Sequence, residues 1–303
     1  MEIRQLRHLV AAIDRGTLRA AADAVFISQP ALTRSLKNLE HELGVELLQR
    51  LPRGVVATEA GELFYRRANL IIHEVDKIKS DVPMTSHGVV GNLKIGVGAL
   101  FAEHIVDDVI WELASTNINL SMGISFGFFE GLVEKLIEGS LDVVFTNLPS
   151  VKVPDNLIVE PLSDFTIVFT AHKDHPLAEL ENCSAKDLEA ARWIMVDRPH
   201  ADDFFSQFCA TQGMNAPRNL VKSDSLGFML SMLRKGGFVS ALPRHLLHGS
   251  NPADGLVELN INGQEVTGKF GLIYREDISG RPALRPFCEG VREACSKIKQ
   301  GSF

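Results

Sequence analysis

The chain has 303 residues, is 45% hydrophobic and 23% charged, and carries a formal charge of −7. That length fits about two domains with real cores, and that balance fits a soluble globular protein. No apolar run approaches the ~18 residues of a membrane span, and the early charges Glu2, Arg4 and Arg7 argue against a signal peptide, so a cytoplasmic protein is expected. Cys183, Cys209, Cys288 and Cys295 form no CxxC pair, which argues against a zinc knuckle or a disulfide scaffold; no metal and no cofactor are expected.

Taken whole, −7 excludes a nucleic-acid partner, but the charge is unevenly placed. Residues 1–58 hold eight Lys/Arg against six Asp/Glu, and residues 59–90 hold four against five, which leaves −8 for residues 91–303. A slightly basic head fits a polyanion, and an acidic body resists nonspecific attachment to one.

In the head, Leu6, Leu9, Val10 and Ile13 recur at helical spacing, and Gly16 stops that helix. Thr17 can cap a second helix whose Ala20, Ala21 and Ala22 allow a close crossing, with Phe26 and Ile27 filling the turn. Ser28 can cap a third helix with Pro30 in its first turn, Leu32, Leu36 and Leu39 inward, and Thr33, Arg34 and Lys37 facing elsewhere. Two short helices joined by a tight turn make a helix-turn-helix, whose second helix offers its N-terminal residues to base edges in the major groove. Gln29 can pair with adenine and Arg34 with guanine or a phosphate, a good bidentate contact being worth about 1–3 kcal/mol of discrimination. Residues 47–61 then read as strand, Pro-Arg-Gly turn and strand, a wing with Arg53 at its tip and Arg50 placed for a phosphate. The same pattern also fits a three-helix bundle with ordinary surface arginines.

Residues 17–61 resemble the N-terminal winged helix-turn-helix of LysR-type transcriptional regulators. The marks are Ala20-Ala21, Ser28-Gln29-Pro30-Ala31, Leu39-Glu40, Leu43-Gly44, Leu47-Leu48-Gln49-Arg50 and Thr58-Glu59-Ala60-Gly61, in the family's order and spacing. Leu48 departs from the family's usual Phe but still fills an apolar slot. The resemblance implies that Gln29, Pro30, Thr33, Arg34 and Arg53 touch DNA.

Thr58 can cap a long helix in which Phe64, Ala68, Ile71, Val75, Ile78 and Val82 follow at spacings of four and three, an a/d seam that Pro83 ends. Such a stripe also fits a helix packed on its own domain. Lying between two domains with no obvious intrachain surface, it is expected to pair two chains, so that two recognition helices read a palindromic site. The resemblance implies the same linker helix, often in a tetramer, with RNA polymerase as a further contact.

From Asn92 strands alternate with helices, which predicts parallel sheets with helices on their faces. LIVEPL and FTIVFTAH read as two strands, and a last helix covers about 284–299. Two such halves with a chain that crosses and returns predict two lobes and a cleft. GNLKIGVG, Gly139-Ser140-Leu141-Asp142, the HPLA of 175–178 and Gly237 to Pro243 look like the LysR-type effector domain, which is similar to a periplasmic binding protein. The expected organisation is therefore an α+β multidomain chain. Residues 1–58 form the winged helix-turn-helix, 59–90 the linker and dimerisation helix, and 91–303 a bilobed α/β effector domain. Its lobe I is 91–162 with 268–303, and lobe II is 163–267.

Ligands in such folds sit beyond strand C-termini, where helix N-termini offer N–H groups to anions. The candidates are Gly98, Ala99, Leu100, Phe126, Phe128, Thr146, Asn147, Arg198, His200, Ser223, Ser225 and Ser240. Ala99 and Leu100 offer only backbone N–H groups where the family often has a hydroxyl. The expected effector is a small organic anion with an apolar part, held by Arg198 and His200 against phenylalanines that also fit an ordinary core.

Other classes fit less well. One branch of the family senses peroxide through two cysteines nine residues apart; Cys209 stands at the second position but His200 at the first, so no such switch is expected and Cys209 reads as a core residue. No enzyme is expected: GVGALF lacks the third glycine of GxGxxG, and His41-Glu42 is followed by Val45 where HExxH needs histidine. A cytoplasmic solute-binding protein is the remaining alternative.

Overall fold

The computed structural model describes residues 1–85, 91–100, 105–116, 120–148, 153–197, 209–211, 213–215, 217, 219–247, 255–261, 266–279, 281 and 283–299. They form two compact units: Met1–Lys94 with Asn119–Met122 and Glu134–Asp142, and Ile95–Ile118 with Gly123–Val133 and Val143–Phe303.

In the first unit, α1 (Ile3–Arg15), α2 (Leu18–Ala24) and α3 (Gln29–Leu43) precede a hairpin of β1 (Leu48–Leu51) and β2 (Gly54–Ala57). Local chemistry sets the breaks. Gly16 stops α1 in the left-handed region, the Thr17 hydroxyl accepts the Ala20 N–H, and Gly44 stops α3. Leu9, Ala12, Ala21, Ala22, Leu32, Leu36, Leu39, Leu47 and Val55 make one core. The turn differs from expectation. Ile27 packs beside that core, but Phe26 stands 93% exposed with φ of 58°, a backbone region that suits Gly or Asn.

Helix α4 (Glu59–Thr85) begins at Thr58, whose hydroxyl accepts the Gly61 N–H at 3.0 Å and donates to the Glu46 carbonyl at 2.7 Å. A Cβ on Gly61 would run into the Leu47 carbonyl oxygen, so the helix start and wing meet where only glycine fits. Two expectations need correction. Pro83 lies inside the last turn of α4 rather than ending it at once: only Met84 and Thr85 are helical beyond it, so its missing N–H and its ring disturb the last turn alone. The helix also has an intrachain surface, because α4 lies along α1: Arg7 pairs with Asp76, and the Tyr65 hydroxyl donates to Asp14 at 2.7 Å. Burial and that hydrogen bond push Tyr65 up to about 12.

The remaining strands join one mixed sheet in the order β4-β3-β5-β11-β6-β9-β7-β8, with β10 pairing β6. They are β3 (Gly91–Gly98), β4 (Leu120–Gly127), β5 (Val143–Leu148), β6 (Leu157–His172), β7 (Arg192–Val196), β8 (Asn219–Ser223), β9 (Val239–Pro243), β10 (Leu256–Glu258) and β11 (Val266–Arg275). The helices are α5 (Asp107–Thr116), α6 (Phe129–Ile137), α7 (Ala185–Ala190), α8 (Leu226–Leu233) and α9 (Leu284–Lys299).

Strands β3 and β5 are parallel, as are β7 with β8 and β7 with β9. The two parallel runs are not separate sheets: β6 and β11, antiparallel to each other, run through the middle. LIVEPL and FTIVFTAH are thus one 16-residue strand. Its irregularity is local, where the register against β11 slips between Phe270 and Gly271 opposite Ser163 and Pro161; a proline donates no ladder bond and is tolerated at such a bulge. Beyond it, Trp193 meets Phe169 edge-on in one apolar cluster, while Ile194, Met229, Leu230 and Leu242 form another.

Candidate DNA-reading face and effector cleft

The face of α3 away from its leucines is the candidate reader. Ser28 Oγ accepts the Ala31 N–H at 3.4 Å; Gln29, Pro30 and Arg34 are exposed in the first two turns and Lys37 at mid-helix, with Thr33 half-buried. The Glu40 carboxylate accepts the Leu47 and Leu48 N–H groups at 2.9 and 3.1 Å, which ties the far end of α3 to the hairpin. Arg50 is exposed on β1, and Arg53 is exposed in the two-residue loop between Leu51 and Gly54. Cationic and amide groups on a rigid helix, plus a cationic loop tip, can contact phosphates and base edges together.

Sequence reasoning missed the other wall of this face. A groove of about 790 Å³ runs between α1 and α3, with Arg4 and His8 on one side and Pro30 and Arg34 on the other. His8 Nδ1 lies 2.7 Å from Ser35 Oγ. Burial, then the Arg4 charge, lowers the His8 pKa, so its ring is neutral above the ordinary histidine range. The charges of the first turn offered a signal, but nothing local showed that α1 would lie beside α3.

On α4, Ala68 is buried, Phe64 packs beside the head core and Val75 is half-buried. Ile71 and Ile78 remain 42% and 54% exposed, with Leu63 also in water. The Val82 side chain lies outside the described residues.

The cleft candidates divide. Ala99 donates its N–H to the Gly127 carbonyl at 3.1 Å, so that group is already engaged, and Phe126 (63% exposed) and half-buried Phe128 flank the bond. Gly98 lets the end of β3 approach Thr146, which is fully buried and donates to the half-buried Asn147 at 3.2 Å. Leu100 packs beside the Ile194–Leu242 cluster, and its carbonyl accepts from His245 Nε2 at 3.0 Å. His245 was not anticipated, although it follows strand β9 and so met the same rule that selected the others. Its ring lies 6.3 Å from that of Phe270, which stacks on Phe165. Ser225 Oγ caps α8 by accepting the Phe228 N–H, and Ser223 Oγ accepts the Ser225 N–H at 3.1 Å. Ser240 is fully buried, and its hydroxyl donates to the Ile194 carbonyl at 2.7 Å. Arg198 and His200 lie outside the described residues. Cys209 is buried, and burial pushes its thiol up to about 11.

Comparisons agree with this geometry. The family model described as "Bacterial regulatory helix-turn-helix protein, lysR family" matches residues 3–62, and "LysR substrate binding domain" matches residues 86–296. The chain is 31% identical over 304 residues to the DNA-binding transcriptional dual regulator OxyR of Escherichia coli K12, covering 100% of this chain and 97% of that one. By structure it is similar to the LysR family regulator CbnR (TM-score 0.67, 21% identity, 97% of this chain and 99% of that one). It is also similar to full-length LysG from Corynebacterium glutamicum with bound effector Arg (TM-score 0.64, 19% identity, 98% and 99%). Among the described residues no helix is long and apolar enough to cross a membrane. The chain belongs to the LysR family of bacterial transcriptional regulators.

Proposed function

We propose that this cytoplasmic regulator reads promoter DNA with Gln29, Pro30, Thr33, Arg34, Lys37 and the Arg50–Arg53 hairpin, as a homodimer or a homotetramer made of two dimers. The observation that carries the reading is the polarity of α3: Leu32, Leu36 and Leu39 are buried while Gln29, Pro30 and Arg34 near its capped end and Lys37 at mid-helix are exposed. The exposed Ile71 and Ile78 support pairing through α4, since a second copy would remove that stripe from water. RNA polymerase is the further partner. A mobility shift with DNA upstream of the protein's own gene tests this. Specific binding that weakens with a log–log salt slope of roughly −0.9 per phosphate contacted is the expected result. Absence of binding would leave a plain solute-binding protein.

The effector is a small organic anion with an apolar part, seated between residues 91–162 with 268–303 and residues 163–267. It is approached by Gly98 to Leu100, Asn147, Ser223, Ser225 and His245, and by Arg198 and His200. Closure of the cleft changes DNA binding only through different affinities for the open and closed states. A thermal-shift screen of aromatic and aliphatic acids, repeated on Arg198→Ala, tests it; no stabilising acid, or full affinity in the variant, rejects it.

Peroxide sensing is a second reading because of the OxyR similarity. The high pKa and burial of Cys209, with His200 where that branch has its first cysteine, favour the ligand reading instead.

A further inference from the structure

The helices α1, α2 and α3 of the head each end by turning through a left-handed residue. Glycine serves after α1 and α3, where Gly16 and Gly44 have φ of 67° and 70°. After α2 the same conformation, with φ of 58°, falls on Phe26. The Phe26 N–H reaches the Asp23 carbonyl at 3.3 Å, and the Ile27 N–H reaches the Ala22 carbonyl at 3.0 Å. These are the paired bonds of a Schellman end, whose left-handed position usually holds glycine. A Cβ is penalised there, so phenylalanine strains a turn that glycine or asparagine makes freely.

The ring adds almost nothing to the core that could offset the strain. Phe26 is the most exposed large apolar side chain among the described residues, and Ile27 is the one that packs beside the head core. Among the described residues Phe26 is also the one non-glycine residue with positive φ. Backbone strain and an apolar ring in water thus fall on the same position. Strain of this kind gathers at functional sites.

The position points to the function. Phe26 stands two residues before the Ser28 cap and three before Gln29, and its neighbour Ile27 lines the same groove as Pro30 and Arg34. A recognition helix offers its N-terminal residues to base edges, so the turn that leads into it borders the duplex. An apolar side chain there matches a thymine methyl or the C–H face of a deoxyribose.

We propose that Phe26 is a further DNA-contacting residue, its ring covering a thymine methyl or a deoxyribose beside the bases met by the start of α3. This role rests on α3 being the DNA reader. Contact with the duplex removes the ring from water, which offsets the strain in the bound state alone. Asparagine at this position relaxes the turn but forfeits the contact, so fold stability and DNA affinity move in opposite directions.

Fluorescence anisotropy of the full chain on labelled DNA from upstream of its own gene tests this, with urea unfolding of each variant alongside. Phe26→Asn should bind about fivefold or more weakly than wild type, while its unfolding midpoint stays equal or rises. Phe26→Tyr, which keeps the ring, should keep the affinity. Replacing thymine by deoxyuridine separates the two contacts. A methyl contact makes wild type more sensitive to the change than Phe26→Asn, and a sugar contact makes the two equally sensitive. Full affinity in Phe26→Asn while Gln29→Ala is weakened overturns the proposal and leaves the reading of α3 intact. So does a loss of affinity that only follows a lower unfolding midpoint. An altered oligomeric state in Phe26→Asn with DNA affinity kept also overturns it, placing the ring against another copy of the chain. Absence of DNA binding by the wild type overturns both.

Discussion

The Lys77 ammonium lies 2.6 Å from Oδ1 of Asp142, with the two side chains only 8% and 1% exposed. The other carboxylate oxygen accepts the Lys94 N–H at 2.9 Å, and the Asp142 N–H returns to the Lys94 carbonyl at 2.7 Å. One turn earlier on α4, His73 Nδ1 meets the Glu138 carbonyl at 2.7 Å. The long helix is thus fastened to the Glu134–Asp142 segment by a buried ion pair and a second polar contact.

Lys77→Met should therefore destabilise the fold by about 3–5 kcal/mol, because it leaves a carboxylate buried without its counter-charge. Lys77→Met/Asp142→Leu should cost less than the sum of the two single changes. Denaturant unfolding of the four proteins measures the coupling; additive costs would show that the pair is not energetically linked.

Gly61→Ala should lower the stability of the head by about 1–3 kcal/mol, since the new methyl meets the Leu47 carbonyl oxygen and not a flexible side chain. Thermal unfolding followed by circular dichroism reads the change.

Gln29→Ala and Arg50→Gln should separate base reading from phosphate binding. The first should cost about 1–3 kcal/mol on the preferred site and relax discrimination at one base pair. The second should weaken all sequences alike and reduce the salt slope by about one contact. Mobility shifts on matched and single-substituted sites, at several salt concentrations, distinguish the two patterns.

Stability should fall as the pH drops below about 6.5, the ordinary histidine value. His8 and His175 both have lowered pKa values, from burial first and, at His8, from Arg4 next. The unfolded chain then takes up protons in a range where the folded chain does not, so acid favours unfolding until the folded-state pKa values are passed. Urea midpoints measured from pH 7.5 to 5 should slope less in His8→Gln, in which a neutral amide replaces the ring.

Millimolar hydrogen peroxide should leave DNA affinity unchanged and Cys209 unmodified in the folded protein. A thiol pushed up to about 11 carries little thiolate near neutrality, and thiolate is the reactive form. Intact-mass analysis checks this, and a sulfenic acid or disulfide at Cys209 would revive the redox reading.

The head was legible from residue order because its determinants are local. Ser28, Thr17 and Thr58 each cap the N–H group three residues ahead, and Leu32, Leu36 and Leu39 share a face through the helical period alone. Most strands after Asn92 and the last helix at Leu284–Lys299 were legible by the same short-range patterns, but Leu157–His172 read as two strands and Leu256–Glu258 was not read at all. What a pattern does not contain is the distant partner of a polar group or an apolar face. Nothing near Ser240 announces that its hydroxyl serves the Ile194 carbonyl, 46 positions away. Nothing near Ala99 reveals that its N–H is taken by Gly127, and nothing near Leu100 points to His245. The helix Glu59–Thr85 shows both sides: its start and apolar period follow from local chemistry, but its contact with α1 does not. Hydrogen bonds and burial between remote segments exist only once the chain has brought them together, so those assignments waited on the folded structure.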